Sequence, residues 1–448
     1  MSKHQLCPFP LYIYNSVEDE WPYISGFPKN TRKKLIHNSS RFADCYLFAN
    51  SSLPLFTFVS PIEIHDAFKQ YFESISGARC HILVPISSTP FVSENTFLDE
   101  KVFGHIVSEA KKAGGVTLLA YAITPQLYTL KRRIESEGII VSLPEGPSEK
   151  NVETISRFGS KSGFRESFSP LMPKGAVEHD YKKAIKTAFD IYRMSSGVVI
   201  KTDKGDAGQG VYIYKKTMQR TPAKLSVELT KLFKKESYLK KYPIIVEEYI
   251  DVSKEKKSPF PSIEVFIHHN GAIEMQYYCN MIVTEAGEFY GMEMHKDVYT
   301  KIIRKKVLAL AKTIAEKYTV AGYRGRFDID MICDGKKVYA DESNTRTTGG
   351  TDTYSIVKKV IGKDFFSRRY VLSSYMDLPS SVHRSFSAVK EMCASLLFQK
   401  KTKTGIIINS ESVIKNKGFS FIIIGKKKEE TMKLYDKLKT ILTNDKKR

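Results

Sequence analysis

Residues 325–346, GRFDIDMICDGKKVYADESNTR, form two strand-like segments that carry polar side chains on alternate positions. In a β-strand, residues two apart project from the same face. Asp328 and Asp330 therefore share one face of the first segment, and Glu342 and Asn344 share one face of the second. If the segments pair as a hairpin, acids and an amide converge on a single face, and few folds can use such a face.

The relative position of these side chains depends on the turn between the segments. A turn centred on Lys336 places Asp330 opposite Glu342. A strictly two-residue turn at Asp334-Gly335 would place the two acids on opposite faces, because a one-residue change of register reverses every side chain. We expect the first arrangement.

Carboxylates clustered on one face require a cation. Two unit negative charges about 4 Å apart repel by about 4 kcal/mol at an effective dielectric near 20. Oxygen ligands on a rigid hairpin suit Mg²⁺, which proteins hold through a few carboxylates together with substrate phosphates. A surface hairpin with solvated acids is the simpler explanation of any single aspartate. The complete set, with Asn344 and Arg346 beside the acids, favours a metal site.

The composition is that of a globular protein with a strong basic excess. The 448 residues are 42% hydrophobic and 27% charged, and the formal net charge is +21. A basic balance can indicate nucleic acid, an anionic membrane or a phosphorylated ligand. The lysine clusters are short and scattered, and no zinc-finger spacing or RNA-binding aromatic motif accompanies them. Solvated lysine-rich faces explain them best, so neither nucleic acid nor a membrane is expected as a partner.

The cysteines and the N-terminal segment predict a cytoplasmic protein. The six cysteines lie far apart and include no CxxC pair, which argues against a zinc site and a disulfide framework. The first residues, MSKHQLCPFPLYIYN, lack the apolar stretch of a signal peptide. No run of 18 apolar residues is present, so no membrane span is expected.

Alternating strand-like and helix-like segments in residues 1–150 predict an α/β domain with a parallel sheet. A second domain is predicted at 151–375, with a lid subdomain at about 196–250. Residues 376–448 are predicted to form a small C-terminal α/β domain. The fold class is therefore mixed α/β (α+β).

Two stretches at the start of the second domain are expected to be helical. They are NVETISRFGSKSGFRESF, residues 151–168, and VEHDYKKAIKTAFDIYRMSSG, residues 177–197.

A glycine-rich segment, VVIKTDKGDAGQGVYIY at 198–214, lies between two strand-like stretches. Glycine permits close approach of the backbone to a phosphate, and successive N–H groups can form an anion-binding nest. No GK[ST] follows, which excludes a Walker A loop, and the next element is a strand, which excludes a Rossmann fingerprint. By itself the segment is more simply a flexible hairpin. Its candidate residues are Lys201, Gly205, Gly208 and Gly210.

The stretch YPIIVEEYI, residues 242–250, is an apolar strand that ends in two acids. Its edge backbone groups could pair with an adenine, and Glu247 could accept a hydrogen bond from the adenine amino group. An ordinary strand leaving the core explains the stretch better when it is taken alone. Glu264 in PSIEVF is equally ambiguous.

The order of these segments resembles the ATP-grasp superfamily over roughly residues 151–355. The resemblance implies that Lys161, in SKSGFRESF, and Lys201 are the two lysines that contact ATP phosphates. It also implies that the glycine-rich hairpin is a lid that closes over ATP and excludes water.

The same resemblance assigns the remaining nucleotide contacts. Glu247 and the backbone of Glu248 and Ile250 correspond to the hinge that holds adenine. Glu264 corresponds to an acid near the ribose or the substrate. The basic insertion at 251–258 is longer than usual in the family, which weakens the assignment of Glu264.

The hairpin completes the resemblance. Asp330 corresponds to the first metal-binding acid, Glu342 to the second and Asn344 to the metal-binding amide, while Asp328 competes for the first position. Arg346 corresponds to the cation near the transferred phosphoryl group.

The C-terminal segment is similar to the small final domain of the pheganomycin-type peptide ligases, which are ATP-grasp enzymes of natural-product biosynthesis. Residues 1–150 would then be their Rossmann-like pre-ATP-grasp domain. We expect Thr347, Thr348 and Gly349–Gly350, just beyond Arg346, to line the acyl substrate pocket.

The resemblance implies an ATP-dependent carboxylate–amine ligase. ATP and two Mg²⁺ ions, or Mn²⁺, would activate a small carboxylate as an acylphosphate. An amine or peptide would then form the amide and release ADP and phosphate. Catalysis would rest on Arg346 and Lys201. Homodimers are common among such ligases, so the oligomeric state stays open.

Two other functions stay open. A kinase or carboxylase of the same superfamily would keep the fold and change the reaction. A basic nucleic-acid-binding protein with a degenerate nucleotide site is the second, although the full set of metal and phosphate residues argues against degeneration.

Overall fold

The structure is a computed structural model that describes residues 9–205, 208, 210–252 and 257–443. These residues contain three β-sheets, which follow one another along the chain. Across the same residues, no helix combines the length and the apolar composition needed to cross a membrane.

The first sheet is fully parallel, as the alternating pattern of residues 1–150 predicts. In chain order its elements are β1 (Phe9–Ile13), α1 (Ser16–Ile24), α2 (Lys29–Ser40), β2 (Leu55–Val59), α3 (Asp66–Ser76), β3 (Arg79–Leu83), α4 (Val92–Leu98), α5 (Glu100–Ala113), β4 (Val116–Ala120), α6 (Pro125–Ser136) and β5 (Val141–Ser142). The strand order is β3-β2-β1-β4-β5.

Local sequence sets several helix ends in this region. The Asp99 side chain accepts two backbone N–H groups at the start of α5, and Thr124 accepts one at the start of α6. These bonds satisfy donors that a helix start leaves without partners. Gly114, at φ +75°, ends α5 in the left-handed conformation that glycine adopts readily.

The second sheet is antiparallel and contains the glycine-rich hairpin. Its elements are α7 (Glu153–Phe158), α8 (Lys161–Phe168), β6 (Gly175–Glu178), α9 (Tyr181–Met194), β7 (Gly197–Thr202), β8 (Val211–Lys215), α10 (Pro222–Lys235) and β9 (Ile244–Glu248). The strand order is β6-β9-β7-β8. Residues at helical spacing, such as Ala184 and Ala188 of α9 and Leu225 and Leu229 of α10, form its core together with Ile200.

The third sheet has eight strands in the order β14-β13-β10-β11-β12-β15-β17-β16. Its elements are β10 (Pro261–Ile267), β11 (Ile273–Val283), β12 (Phe289–Met294), α11 (Lys301–Val320), β13 (Gly325–Cys333), β14 (Val338–Asn344), α12 (Thr351–Ile361), α13 (Phe365–Arg368), β15 (Tyr370–Asp377), α14 (Phe386–Met392), β16 (Gly405–Ile408), α15 (Ser412–Lys415), β17 (Gly418–Gly425) and α16 (Lys428–Thr443). Strands from both sides of residue 375 belong to this one sheet. The domain boundaries at 150 and 375 remain a prediction.

Two helix predictions need correction. The stretch 151–168 forms two helices with a break at Gly159, and the Ser160 side chain caps the second helix by accepting the N–H of Gly163. The stretch 177–197 begins in β6, because residues 177 and 178 pair with β9 before α9 starts. Pairing with a distant strand outweighs the local helical pattern there.

Candidate functional site

A cavity of about 790 Å³ lies where the three sheets meet, and most of the predicted site residues line it. Asp328, the competing metal acid, lines it as well. Two predicted residues, Gly210 and Glu264, are not part of the lining. The predicted residues that line it are Lys161, Lys201, Gly205, Gly208, Glu247, Glu248, Ile250, Asp330, Glu342, Asn344 and Arg346.

The hairpin β13–β14 places Asp330 opposite Glu342 and Asp328 opposite Asn344, as expected. The predicted cause of this pairing, a turn centred on Lys336, was wrong. The turn is centred between Gly335 and Lys336, since Cys333 pairs with Val338, and continuing that register would have separated the acids. A β-bulge between Asp330 and Met331 restores the register.

The bulge adds one residue, Asp341, to β14. Met331 pairs with Ala340 and Asp330 pairs with Glu342, so Asp341 has no partner in the ladder. Bulges commonly redirect a side chain next to a functional site. Here the Asp341 carboxylate faces the cavity beside Glu342.

Asp330 is the most strained acid on this face. Its Oδ1 is buried and has no hydrogen-bond partner among the described residues, while Oδ2 accepts a long bond of 3.4 Å from Asn344 and the Ser262 hydroxyl lies nearby. Burial, together with the nearby carboxylates of Asp328 and Glu342, raises the pKa of Asp330 well above its ordinary value. A buried oxygen without a donor is unfavourable, and a cation would satisfy it.

These residues fit a hard cation. Within the described part of the chain, no three His, Cys, Asp or Glu side chains converge in metal-binding geometry. The candidate set is therefore two carboxylates, Asp330 and Glu342, with Asn344 beside them. The Asn344 amide nitrogen donates to Asp328 and Asp330 here and its oxygen accepts from Arg346, so the amide would have to turn to offer its oxygen to a metal. Mg²⁺ prefers such oxygen ligands and completes its shell with water or substrate phosphates.

Asp328 lies deeper and has more hydrogen bonds. Its Oδ1 accepts the backbone N–H of Asn344 at 3.1 Å and the side-chain amide at 3.0 Å. Burial raises the pKa of Asp328 to about 7, although Arg346 acts in the opposite direction. The orphaned oxygen of Asp330 favours Asp330 over Asp328 as the first metal ligand.

The two predicted phosphate lysines contact hairpin acids. Lys161, at the start of α8, pairs with Glu342 at 2.6 Å, and Lys201, at the end of β7, pairs with Asp341 at 2.5 Å. Burial opposes ionisation of Glu342, but the two lysines more than offset it and hold the pKa of Glu342 below its ordinary value. Two ammonium groups therefore lie next to the candidate metal acids.

Glu247, the predicted acceptor for the adenine amino group, is paired inside the protein. Its carboxylate is fully buried and pairs with both Lys201 and Arg165. Burial opposes its ionisation, yet these two cations hold the pKa of Glu247 below its ordinary value. Because both oxygens are occupied, this geometry favours positioning of Lys201 over acceptance of a hydrogen bond from adenine.

The segment after Glu247 remains the candidate hinge. Glu248 and Ile250 line the cavity together with Tyr249. The backbone of Glu248 is partly used, since its N–H donates to Lys174 O and its side chain accepts the Lys174 N–H at 2.8 Å.

The glycine-rich hairpin approaches the β11–β12 loop. Gly208 has φ +86°, and a Cβ at this position would collide with the carbonyl oxygen of Gly287. Gly210 has φ +79°, and a Cβ there would collide with the Thr202 side chain. These glycines are required by close packing. Asp206 lies outside the described residues.

Lys204 anchors this hairpin to α8. Its Nζ donates to the carbonyl oxygen of Gly159 at 2.6 Å, and burial lowers its pKa. The neighbouring Asp203 accepts the backbone N–H of Ser162 at 2.8 Å.

Glu264 lies beneath the cavity floor, contrary to the expected contact with ribose or substrate. It is fully buried and bonds to Arg326 at 2.6 Å and to the Thr351 hydroxyl at 2.5 Å. Arg326 also pairs with Glu145 at 3.2 Å. Glu264 therefore links the third sheet, α12 and the end of the first region.

Arg346 stands at the junction with the first sheet. It bonds to Asp19 at 3.0 Å and to Asn344 at 3.3 Å, and its guanidinium lies over Tyr121. The chain around it forms a β-bridge with Ala122. Of the residues beyond it, Thr348, Gly349 and Gly350 line the cavity, whereas Thr347 is buried outside the lining.

Sequence reasoning missed three contributors to the site: Arg165, Asp341 and Asp19. Arg165 lies four residues after Lys161, on the same helical face, so helical spacing could have indicated it. Strand alternation places Asp341 on the face opposite to that of its neighbour Glu342, and only the bulge brings it to the site. Asp19 comes from the first helix and carries no recognisable signal.

Comparison with known proteins identifies the fold. The chain is similar to an N5-carboxyaminoimidazole ribonucleotide synthetase in complex with ADP, with 10% identity, 100% of both chains covered and a TM-score of 0.57. A phosphoribosylamine–glycine ligase from Thermotoga maritima shows 13% identity, 96% coverage of both chains and a TM-score of 0.53.

A third solved structure extends the comparison. Biotin carboxylase from Campylobacter jejuni, in complex with a β,γ-ATP analogue, shows 10% identity over 95% of this chain and 89% of its own, with a TM-score of 0.55. No protein-family model and no curated protein sequence matches the chain. The structural likeness establishes the ATP-grasp fold, as the resemblance predicted.

Proposed function

We propose that this chain is an ATP-dependent carboxylate–amine ligase that works through an acylphosphate and releases ADP and phosphate. The observation that carries the proposal is the convergence of Lys161, Lys201, Asp330 and Glu342 on one cavity beside a glycine-rich hairpin. Two cations for phosphate and two acids for a metal are the parts that phosphoryl transfer requires.

Asp330, Glu342 and Asn344 would hold Mg²⁺. The ion would offset the negative charge of the nucleotide phosphates and orient them. Lys161 and Lys201 would exchange their carboxylate partners for phosphate oxygens, and the buried pair of Glu247 and Arg165 would keep Lys201 in place. The base would lie against the segment from Glu248 to Ile250.

In the first step a substrate carboxylate oxygen attacks the γ-phosphorus, and the bond from that phosphorus to the ADP oxygen breaks. In the second step an amine nitrogen attacks the acyl carbon. The carbon–oxygen bond to phosphate then breaks, phosphate leaves with the electron pair, and the nitrogen loses a proton to solvent. Arg346, next to Thr348 and Gly350, would stabilise the charge that develops on the transferred group.

The test measures which nucleotide products form. The purified protein is incubated with ATP, Mg²⁺ and pooled amino acids and peptides, and ADP plus phosphate is compared with AMP plus pyrophosphate. We expect ADP and phosphate to form only when a substrate is present. Glu342→Gln should lose this activity. Glu316→Gln, which changes an acid on the exposed face of helix α11, should keep it. AMP and pyrophosphate would disprove the acylphosphate route.

A carboxylase is the second candidate, because the chain is also similar in fold to a biotin carboxylase. ADP release that depends on bicarbonate and needs no amine would favour it over the ligase. We propose peptide natural-product biosynthesis as the setting of the ligase. Its support is the sequence pattern of the C-terminal segment, and a peptide product identified by mass spectrometry would test it.

A further inference from the structure

One arginine of the cavity lining, Arg41, has no hydrogen-bond or ion-pair partner among the described residues. Arg41 follows the last residue of α2 and lines the cavity, but its guanidinium makes no hydrogen bond or ion pair with any described residue. Its Nε is buried and unsatisfied, and its guanidinium lies over the ring of Phe42. Arginine is always charged and binds carboxylates through two parallel hydrogen bonds. The site is therefore built for an anion.

Arg41 and Arg346 line the same cavity but have different partners. Arg346 is paired with Asp19 and Asn344 beside the candidate metal acids. Arg41 stacks on Phe42 and lies close enough to Tyr375 to lower the pKa of that phenol against the larger effect of burial. Arg41 is therefore available to a carboxylate other than the one that Arg346 and the metal acids would activate.

The cavity that Arg41 lines also has aromatic side chains in its wall, and one of them, Tyr121, lies under Arg346. Tyr14, Tyr46 and Tyr121 pack against one another with ring centroids 5.0 to 5.2 Å apart, and all three line the cavity. Phe289 and Tyr290 line it too, with 36% and 40% of their surface exposed. Exposed aromatic side chains in a concave site favour a ligand with an apolar or aromatic body.

Two further acids, Glu20 and Asp352, line the same cavity, so a ligand of Arg41 would suit it best as a monoanion that also carries a positive group. Glu20 accepts a hydrogen bond from Ser39, two residues before Arg41, at 2.8 Å. Asp352 lines the cavity next to Asn409, which donates to it at 3.0 Å. One arginine among these acids suits a carboxylate on a zwitterion better than a phosphate dianion.

We propose that Arg41 binds the free carboxylate of the amine substrate, and that this substrate is an aromatic amino acid or a short peptide with an aromatic residue. The assignment of the ligand as the amine substrate rests on the proposed ligase function. The anion site at Arg41 itself rests only on the geometry of the cavity.

The experiment measures binding by calorimetry, with and without ADP and Mg²⁺. The probes are L-phenylalanine, L-phenylalanyl-L-phenylalanine and their carboxamides. We expect each carboxylate to bind the wild-type protein roughly tenfold or more tightly than its amide, because a hydrogen-bonded charge is lost in the amide. Arg41→Gln should abolish that preference, and Arg41→Lys should keep part of it.

Arg32→Gln is the matched control. Arg32 lies on the same helix and stacks on Trp21, but it bonds to backbone carbonyls of Ser25 and Phe27 and is not in the cavity lining. The Arg32→Gln variant should therefore bind each carboxylate more tightly than its amide, to the same extent as the wild-type protein. Three results would overturn the proposal. The wild-type protein could bind acid and amide equally, Arg41→Gln could keep the preference for the carboxylate, or no probe could bind at all.

A failure of the proposed ligase function can be distinguished from a failure of the Arg41 proposal. Loss of ADP binding, or AMP formation in the turnover assay, would reject the proposed reaction. The calorimetric preference of the nucleotide-free protein would still report on the anion site.

Discussion

Buried carboxylates occur in two regions of this molecule, and their partners differ. In the first region, Glu18 accepts hydrogen bonds from Asn15 at 2.8 Å, Thr124 at 2.5 Å and Ser93 at 2.7 Å. Asp44 accepts three more, at 2.7 to 2.8 Å, from the stretch 410–412. These acids are satisfied by neutral donors, and they join helices and loops.

The carboxylates of the β13–β14 hairpin have charged partners or lack a partner, unlike those of the first region. Glu342 and Asp341 are paired with lysine ammonium groups, and one oxygen of Asp330 has no described partner. Burial raises the pKa of Glu18, Asp44 and Asp330 alike. A raised pKa therefore does not distinguish the regions. Long lysines that can change partner, next to an unsatisfied oxygen, mark the candidate site.

The largest effect on stability is expected from the buried charges of the candidate site. Arg165→Met would leave the fully buried Glu247 with Lys201 alone. Breaking a buried ion pair by removing one partner costs about 3–5 kcal/mol. Urea unfolding should show a loss of that size.

Ser93→Ala is the comparison from the first region. It removes the Ser93 hydroxyl bond to Glu18 at 3.0 Å, keeps the backbone N–H bond at 2.7 Å, and should cost only about 1 kcal/mol. If the two variants lose the same stability, the two regions do not differ in the way described.

The next effect concerns activity. Asp330→Asn keeps the size of the side chain and removes the charge that would hold the metal. We expect turnover to fall about 10²- to 10³-fold, as for loss of one electrostatic group in a catalytic site. The free energy of unfolding should stay the same or increase, because an unsatisfied buried charge is removed.

Asp334→Asn is the control for this variant. Asp334 lies in the turn of the same hairpin and accepts the backbone N–H groups of Lys336 and Lys337. Its replacement should leave turnover within about twofold. A stable Asp330→Asn variant with full Mg²⁺-dependent activity would remove Asp330 from the metal site.

The last effect is a pH dependence in the first region, which appears only over a limited pH range. Burial raises the pKa of Asp44 to about 6, from an ordinary value of 3.8, and nearby Glu411 adds to the shift. The folded state therefore binds the proton more tightly than the unfolded state. Its stabilising contribution is complete below about pH 4 and is lost as the pH rises through 6, with a total of roughly 3 kcal/mol.

Asp44→Asn carries no titrating group at this position. The stability of the wild-type protein minus that of the variant should therefore decrease from pH 4 to pH 6 and then stay constant. Urea unfolding at pH 4, 5, 6 and 7 measures this difference. A difference that is flat over that range would show that Asp44 titrates normally.

Much of the fold could be predicted from local pattern. The strands Gly325–Cys333 and Val338–Asn344 lie in the stretch 325–346 whose alternation predicts two strands, and the parallel first sheet follows from its alternating helices and strands. The pairing of residues 177–178 with β9 could not be predicted, because it depends on a strand more than 60 residues away.

The sequence by itself indicated which residues could form the site, because strand periodicity places Glu342 and Asn344 on one face of β14 and Asp328 and Asp330 on one face of β13. Only the tertiary structure decided their partners. The bulge at Asp341, the burial of Glu264 and the two cations on Glu247 depend on contacts between segments far apart in the chain. Arg41 and Asp19 reach the cavity for the same reason, since chain folding brings together charges that no local spacing relates.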